Sequence, residues 1–362
     1  MKAKKKILII APDYYGIDKS ISKGFESLGF DAILKNYRTK LFLTERISNK
    51  LSKILPFTKM LTKSIFAFFL LIENKELFGF VKTNRPDMVF IVKGECILAG
   101  TINRIRKELK IPCISYQWDD PFYSHQDHDV YDEHRKASFI KSIDCYDHIF
   151  VFDPFYVDKI KQYGIINVSY LPLATDEDIY KKVKLSEEEK REYGFDICFV
   201  GGPFKKRLDV LSKLKEFNLG VFGDGWEGYL LKHSGRVVGF YKGKAMGEKV
   251  LKIYSASKIV MNIHHDQSVH GVNTRTFDIP ACGAFEMVDY KPDMENLFSV
   301  GKEIVCFKSD DELVEMIRYY LSHPQERKMI AESGSKRVLS SHTWTHRAKQ
   351  VVKELSEKNI LF

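Results

Sequence analysis

Two α/β domains, each built on a parallel sheet, are predicted by three observations. Short apolar runs alternate along the chain with segments of helical period, which is the signature of βαβ units. A polar, highly charged stretch at residues 174–194 divides these runs into two sets and reads as a linker with an exposed helix. A chain of 362 residues with 44% hydrophobic content also has enough apolar material to bury two cores of ordinary size.

The first sheet takes the runs at 6–11, 31–36, 87–92, 112–117, 147–152 and 167–172, with helices near 17–29, 41–84, 98–110, 126–142 and 153–163. The second takes 196–201, 219–223, 236–240, 258–263, 284–288 and 303–307, and helices at 309–322, 324–340 and 343–358 close the chain. Between the fourth and fifth runs of the second set lies a short helix. Asn273 suits its N-cap, Phe277 and Ala281 share one apolar face, and Gly283 can end it in a left-handed turn. Ligands of open α/β sheets bind beyond the carboxyl ends of the strands, so the loops after these runs should line a cleft.

Charged residues make up 29% of the chain and no apolar run reaches 18 residues, which argues for a soluble protein. After lysines 2, 4, 5 and 6 the run ILII is too short for a signal-peptide core and reads as a first strand, so the chain is expected in the cytosol. The six cysteines, at 96, 113, 145, 198, 282 and 306, form no close pairs, and neither a zinc knuckle nor a disulfide framework is indicated. The net charge of +9 falls entirely within residues 1–64. Residues 40–72 interleave lysine and arginine with leucine, isoleucine and phenylalanine, a pattern that suits an amphipathic surface on the inner, anionic face of a membrane and equally a core-facing helix pair. Basic residues without a nucleic-acid module do not indicate nucleic acid as a partner.

Several loops carry usable chemistry. Gly201 and Gly202 precede Lys205, Lys206 and Arg207, so close backbone approach and a basic cluster coincide, as in a diphosphate cradle. Gly223 and Trp226 follow the next run; Trp226 either borders a nucleotide base or anchors its own loop, and Gly239 lies in a segment offering backbone groups to a base edge. His264, His265, Asp266 and His270 are poorly spaced for a metal, and His270 beside Gly271 suits a hydrogen bond to a sugar or phosphate. At the short helix, Arg275 offers a planar fork to phosphate, and Asp278 one turn on can accept from vicinal hydroxyls. In the first domain, Trp118, Asp119 and Asp120 follow a strand. A carboxylate there would position or deprotonate an acceptor hydroxyl, though Asp120 before Pro121 equally suits a turn. Asp13 and Gly16, after the first strand, form a second candidate acceptor loop.

The arrangement of Asn273, Arg275, Phe277, Asp278, Ala281, Cys282 and Gly283, followed by Asp289 and by HTWTHRA at 342–348, resembles the CgeB-like, group 1 glycosyltransferases. The likeness is specific over roughly 195–350 and loose in the amino-terminal half. It implies a GT-B fold, with two Rossmann-like parallel-sheet domains facing a central cleft. An acceptor-side domain would cover 1–175, a nucleotide-sugar donor domain 176–342, and a terminal helix at 343–362 would pack back on the first. It further implies a hexosyltransferase-type enzyme that needs no metal or other cofactor, and that moves a sugar from a nucleotide diphosphate donor to a glycan, lipid-linked or protein acceptor. Arg207 and Arg275 would stabilise the departing diphosphate, with retention of configuration. Related retaining enzymes carry two glutamates eight positions apart, where this chain has His270 and Asp278. A catalytically silent subunit binding sugar nucleotide or glycan, or an epimerase on the same plan, therefore stays open.

Overall fold

The structure is a computed structural model that describes residues 4–13, 16–37, 59–122, 139–232 and 238–361. The chain divides into two compact units, one formed by Met1–Pro172 with Trp344–Phe362 and the other by Leu173–Thr343. Each is a twisted parallel sheet with helices packed on it.

In the first unit the elements run β1 (Lys6–Ala11), α1 (Ile17–Glu26), β2 (Asp31–Asn36), α2 (Lys59–Asn84), β3 (Met88–Val92), α3 (Ala99–Leu109), β4 (Cys113–Gln117), β5 (His148–Val151), α4 (Pro154–Lys161) and β6 (Val168–Tyr170). The strand order is β2-β1-β3-β4-β5-β6, parallel throughout. Strands β3 and β4 are buried along their whole length, as expected for sheets covered on both faces. Asp153 caps α4, its carboxylate accepting from Phe155 N with Pro154 in the first turn. The helices expected at 41–84 and 126–142 are seen only in part, because 38–58 and 123–138 lie outside the described residues.

The second unit runs α5 (Glu187–Tyr193), β7 (Ile197–Val200), α6 (Lys205–Ser212), β8 (Leu219–Phe222), α7 (Trp226–Lys232), α8 (Glu248–Ala256), β9 (Ile259–Asn262), α9 (Arg275–Ala281), β10 (Glu286–Asp289), α10 (Met294–Leu297), β11 (Val305–Phe307), α11 (Asp310–Ser322) and α12 (Pro324–Ser341). Its strands lie in the order β11-β10-β9-β7-β8. Among the described residues five strands form this sheet, and the described part of the run at 236–240 is a single 3-10 turn, Val238–Phe240. A capping box between Ser186 and Glu189 starts α5 in the charged linker.

The last helix, α13 (Trp344–Glu357), belongs to the first unit and lies along α1. Gly24 permits that approach, since a Cβ there would stand 2.6 Å from Trp344 O. Arg347 Nε donates to Pro172 O at 2.9 Å, closing the helix onto the end of the first unit.

Candidate functional site

The second unit gathers its polar residues at the carboxyl ends of β7, β8, β9 and β10. After β7, Gly201 and Gly202 make a turn that presses on the turn after β8. A Cβ at Gly223, whose φ is +141°, would lie 2.2 Å from Gly201 O, so only glycine fits there. Trp226 is fully buried and its indole N–H donates to Gly201 O at 2.7 Å. Of the two readings open for Trp226, the geometry fits the second: the ring anchors the double-glycine turn from beneath. Gly239 sits exposed in the 3-10 turn, where its carbonyl accepts from Lys242.

The two arginines are placed differently. Arg207 is buried at 4% exposure; its Nε and Nη2 donate to Ile263 O at 3.1 and 3.0 Å, and its Nη1 to Gly202 O at 2.8 Å. Its guanidinium ties the end of β9 to the glycine turn, with the Phe204 ring 4.5 Å away. Burial, reinforced by the charge of Arg275, pushes its pKa well down, so the charge is disfavoured where it stands. Arg275, in the first turn of α9, is half-buried. Its Nε donates to Asn262 Oδ1 at 3.3 Å, and neither Nη donates to a described residue. A Cβ on Gly201 would stand 3.1 Å from Arg275 Nη1, so the free end of the fork lies over the turn.

Beneath Arg275 is a polar cluster that sequence reasoning missed. Asn262, at the end of β9, is buried, and its amide group lies 3.1 Å from Asn273 Oδ1, 3.1 Å from Thr276 Oγ1 and 2.8 Å from Glu286 Oε1. Its Oδ1 also accepts from Asn273 Nδ2 at 2.9 Å. Glu286 is buried in β10, and burial pushes its pKa well up, against Asn262 and Arg275, which favours its neutral form. The signal available was a glutamate inside the apolar run AFEMV, where an unpaired charge would not be tolerated. Next to it, Asp289 accepts from His264 N at 2.7 Å, His264 Nδ1 at 2.8 Å and Lys206 Nζ at 2.7 Å. Burial alone would raise that carboxyl, but His264 and Lys206 hold it well below the usual carboxylate range. Glu286 Oε2 and His264 Nε2 are buried without a hydrogen-bond partner among the described residues.

Asn273 does not itself cap α9. Thr274 takes that position with helical dihedrals, although Asn273 Oδ1 accepts from Thr276 N at 3.3 Å and serves the same orphan donor. Gly283 ends the helix at φ +68°, with Cys282 as the C-cap. Asp278 does not reach outward as a ribose acceptor would. It is buried, its Oδ1 accepts from Thr175 Oγ1 at 2.8 Å, and burial pushes its pKa up to about 8, against Thr175 and Arg275. His270 is exposed in the loop before Gly271, and its carbonyl accepts from Asp293 N. The His265 ring packs edge-on against Phe204 at 4.2 Å rather than beside His264.

In the first unit, Asp120 takes the turn role that stood beside a catalytic one. It is buried and its Oδ1 accepts from Phe122 N at 2.8 Å, two residues on, as an Asx turn requires. Asp119 pairs with Lys93 at 2.5 Å, and Lys93 also meets Glu95 at 3.1 Å. Lys93 holds a left-handed backbone, φ +61°, just past β3. Trp118 is buried, Asp13 is exposed after β1, and Gly16, at φ +79°, stands at the N-cap of α1. Asp18 in the first turn of α1 is buried, and burial raises its pKa.

Residues 205–353 match the family described as glycosyl transferase-like. The spore protein CgeB of Bacillus subtilis is 22% identical over 279 residues, covering 73% of this chain and 81% of that protein. Among solved structures, sucrose-phosphate synthase of Thermosynechococcus elongatus superposes with a TM-score of 0.67 at 11% identity, covering 98% of this chain and 99% of that one. Anabaena HepE in complex with UDP-glucose gives 0.64 at 10% identity, covering 97% and 99%. Among the described residues no helix is long and apolar enough to cross a membrane. The chain has the GT-B fold, its residues 205–353 match the glycosyl transferase-like family, and it resembles the spore protein CgeB.

Proposed function

We propose that the chain transfers a hexose from a nucleoside diphosphate sugar to a hydroxyl of a glycan, lipid-linked or protein acceptor, with retention of configuration and without a metal. The observation that carries the reading is Arg275: half-buried, held among the described residues through Nε alone, with Nη1 over the Gly201–Gly202 turn and a second, buried guanidinium alongside. Two like charges brought together cost free energy that a diphosphate would offset, and a planar fork suits its oxygens. The neighbouring carboxyls neutralise them poorly: burial raises the pKa of Asp278 to about 8 and that of Glu286 well above its ordinary value, and Asp289 is engaged by Lys206 and His264. The same cations would stabilise charge as the bond from the anomeric carbon to the diphosphate breaks. The acceptor oxygen bonds that carbon on the same face, and its proton passes to the departing phosphate oxygen. Gly202, Gly223, Gly239, His270, Gly271 and Asn273 are proposed to border the nucleotide sugar, and Asp13, Gly16, Trp118 and Asp119 the acceptor.

HepE has been solved with UDP and with UDP-glucose, so uridine nucleotides are the first probes. Titration with UDP, GDP, dTDP and their hexose conjugates should give micromolar to millimolar binding, with slow release of free sugar. No binding to any of them would overturn the reading. Binding without release would favour a catalytically silent subunit, for which the protonated Asp278 speaks, and epimer formation would mark an epimerase.

We further propose that α2 meets an anionic membrane. Ile65, Phe68, Phe69 and Leu71 are exposed on it, and the first 64 residues carry the entire net charge of +9. Most of the basic stretch at 40–72 lies outside the described residues.

A further inference from the structure

The geometry points to Asn262 as a positioning residue that aims Arg275 at the diphosphate, with Glu286 as its backing. The inference rests on the donor-site reading above. Arg275 Nε carries only a donor hydrogen, so the atom of Asn262 facing it at 3.3 Å must be the carbonyl oxygen. That choice fixes the rest of the amide. Its NH2 must then face Glu286, which accepts on Oε1 at 2.8 Å. Asn273 locks the other edge in the same sense, its Nδ2 donating to Asn262 Oδ1 at 2.9 Å. The chain from Glu286 through Asn262 to Arg275 thus runs from the interior of β10, across the end of β9, to the first turn of α9. Every bond along it has one permitted direction.

The consequence is a guanidinium turned before any ligand arrives. With Nε occupied, rotation about the last side-chain torsions is restricted, and the Nη pair is the part left to act as a fork. Ordering a long side chain costs free energy on binding, and a side chain already ordered avoids most of that cost. Asn262 therefore acts on the nucleotide through Arg275, not by touching it. Arg207 needs no such strut, because two backbone carbonyls already hold it.

The test is a double-mutant cycle read by affinity for UDP, or for GDP or dTDP if the wild type holds one of them better. Asn262→Thr suits a strand and is too short to reach Nε. Arg275→Lys keeps a charge but has no Nε and no fork. Asn262→Thr should weaken nucleotide binding by about tenfold in the wild type and by less than about twofold in the Arg275→Lys background, since groups acting through one contact must couple. Glu286→Leu, an apolar replacement in a buried strand, removes the backing instead. It should weaken binding by about threefold in the wild type and leave Arg275→Lys unchanged. Equal losses in both backgrounds, or no loss from either variant, would overturn the inference. Should Asn262→Thr fail to fold, the Glu286→Leu arm decides alone. Wild-type protein that binds none of the nucleotides, or an Arg275→Lys variant that binds as wild type does, would instead sink the donor-site reading itself.

Discussion

The carboxyl ends of the two sheets hold charge in opposite ways. In the first unit the charges are matched: Lys93 sits between Glu95 and Asp119, and Asp120 is consumed by a turn. In the second unit two guanidiniums stand together, while burial raises the pKa of the nearby Asp278 and Glu286 and Lys206 engages Asp289. Matched charges stabilise a fold by themselves. An unmatched cationic set stabilises it less and binds anions better, which supports the proposal that the second unit's strand edge takes the diphosphate.

The comparison breaks most severely at Arg207. Arg207→Ala would leave Ile263 O and Gly202 O without their donors and open a void beneath Phe204, so a loss of about 3 kcal/mol in unfolding free energy is expected from urea denaturation. Stability unchanged by that substitution would return Arg207 to a purely ligand-binding role. Arg275→Ala should do the reverse, lowering nucleoside diphosphate affinity by about 2 kcal/mol by calorimetry while the melting temperature stays near the wild-type value. A smaller effect distinguishes the first unit: Asp119→Asn, which weakens a matched pair, should leave nucleotide affinity unaltered within about twofold and lower only turnover onto acceptor.

Asp278 sharpens the contrast through pH. Its folded pKa is raised to about 8, so the native state keeps a proton that the unfolded chain releases near 4, and the stability linked to it falls as pH rises through that window. Asp278→Asn should therefore lose less stability than the wild type between pH 5 and pH 8 in parallel denaturant titrations, with Glu286 supplying the slope that remains. Because Thr175 already occupies its Oδ1, the same variant should bind UDP within about twofold of wild type. The smallest expected effect is at α2. Binding to anionic vesicles should exceed binding to neutral ones and fall with salt, and Phe68→Ser should reduce it by about threefold. Equal binding to both vesicle types would assign that face to another contact.

Much of the plan was legible in local patterns. The alternation of runs such as KILIIA and DMVFIV with helical segments marks parallel strands, because a strand buried on both faces must be apolar throughout. Gly223 and Gly283 stand at turns that require them, since glycine alone relieves the close approach or the left-handed backbone there. Arg275 was also legible, as a cation in the first turn of a short helix after a polar loop. The 3-10 turn at Val238–Phe240 was not, because RVVGF has the composition of a strand and only pairing distinguishes the two.

Residue types and their spacing therefore determined the two sheets, the glycine turns and the presence of two arginines near one site. Tertiary structure decided which arginine is free. Arg207 and Arg275 have the same chemistry, and nothing in their sequence neighbourhoods separates them. Burial against Ile263 O and Gly202 O consumes one fork, while Asn262, thirteen residues before Arg275, takes a single nitrogen of the other. It likewise turned Asp278 toward Thr175, 103 residues away, and Asp120 into its own turn. Such choices depend on which backbone groups a side chain meets once strands distant in sequence are paired, and hydrogen bonds form over distances of about 3 Å that no spacing rule can resolve.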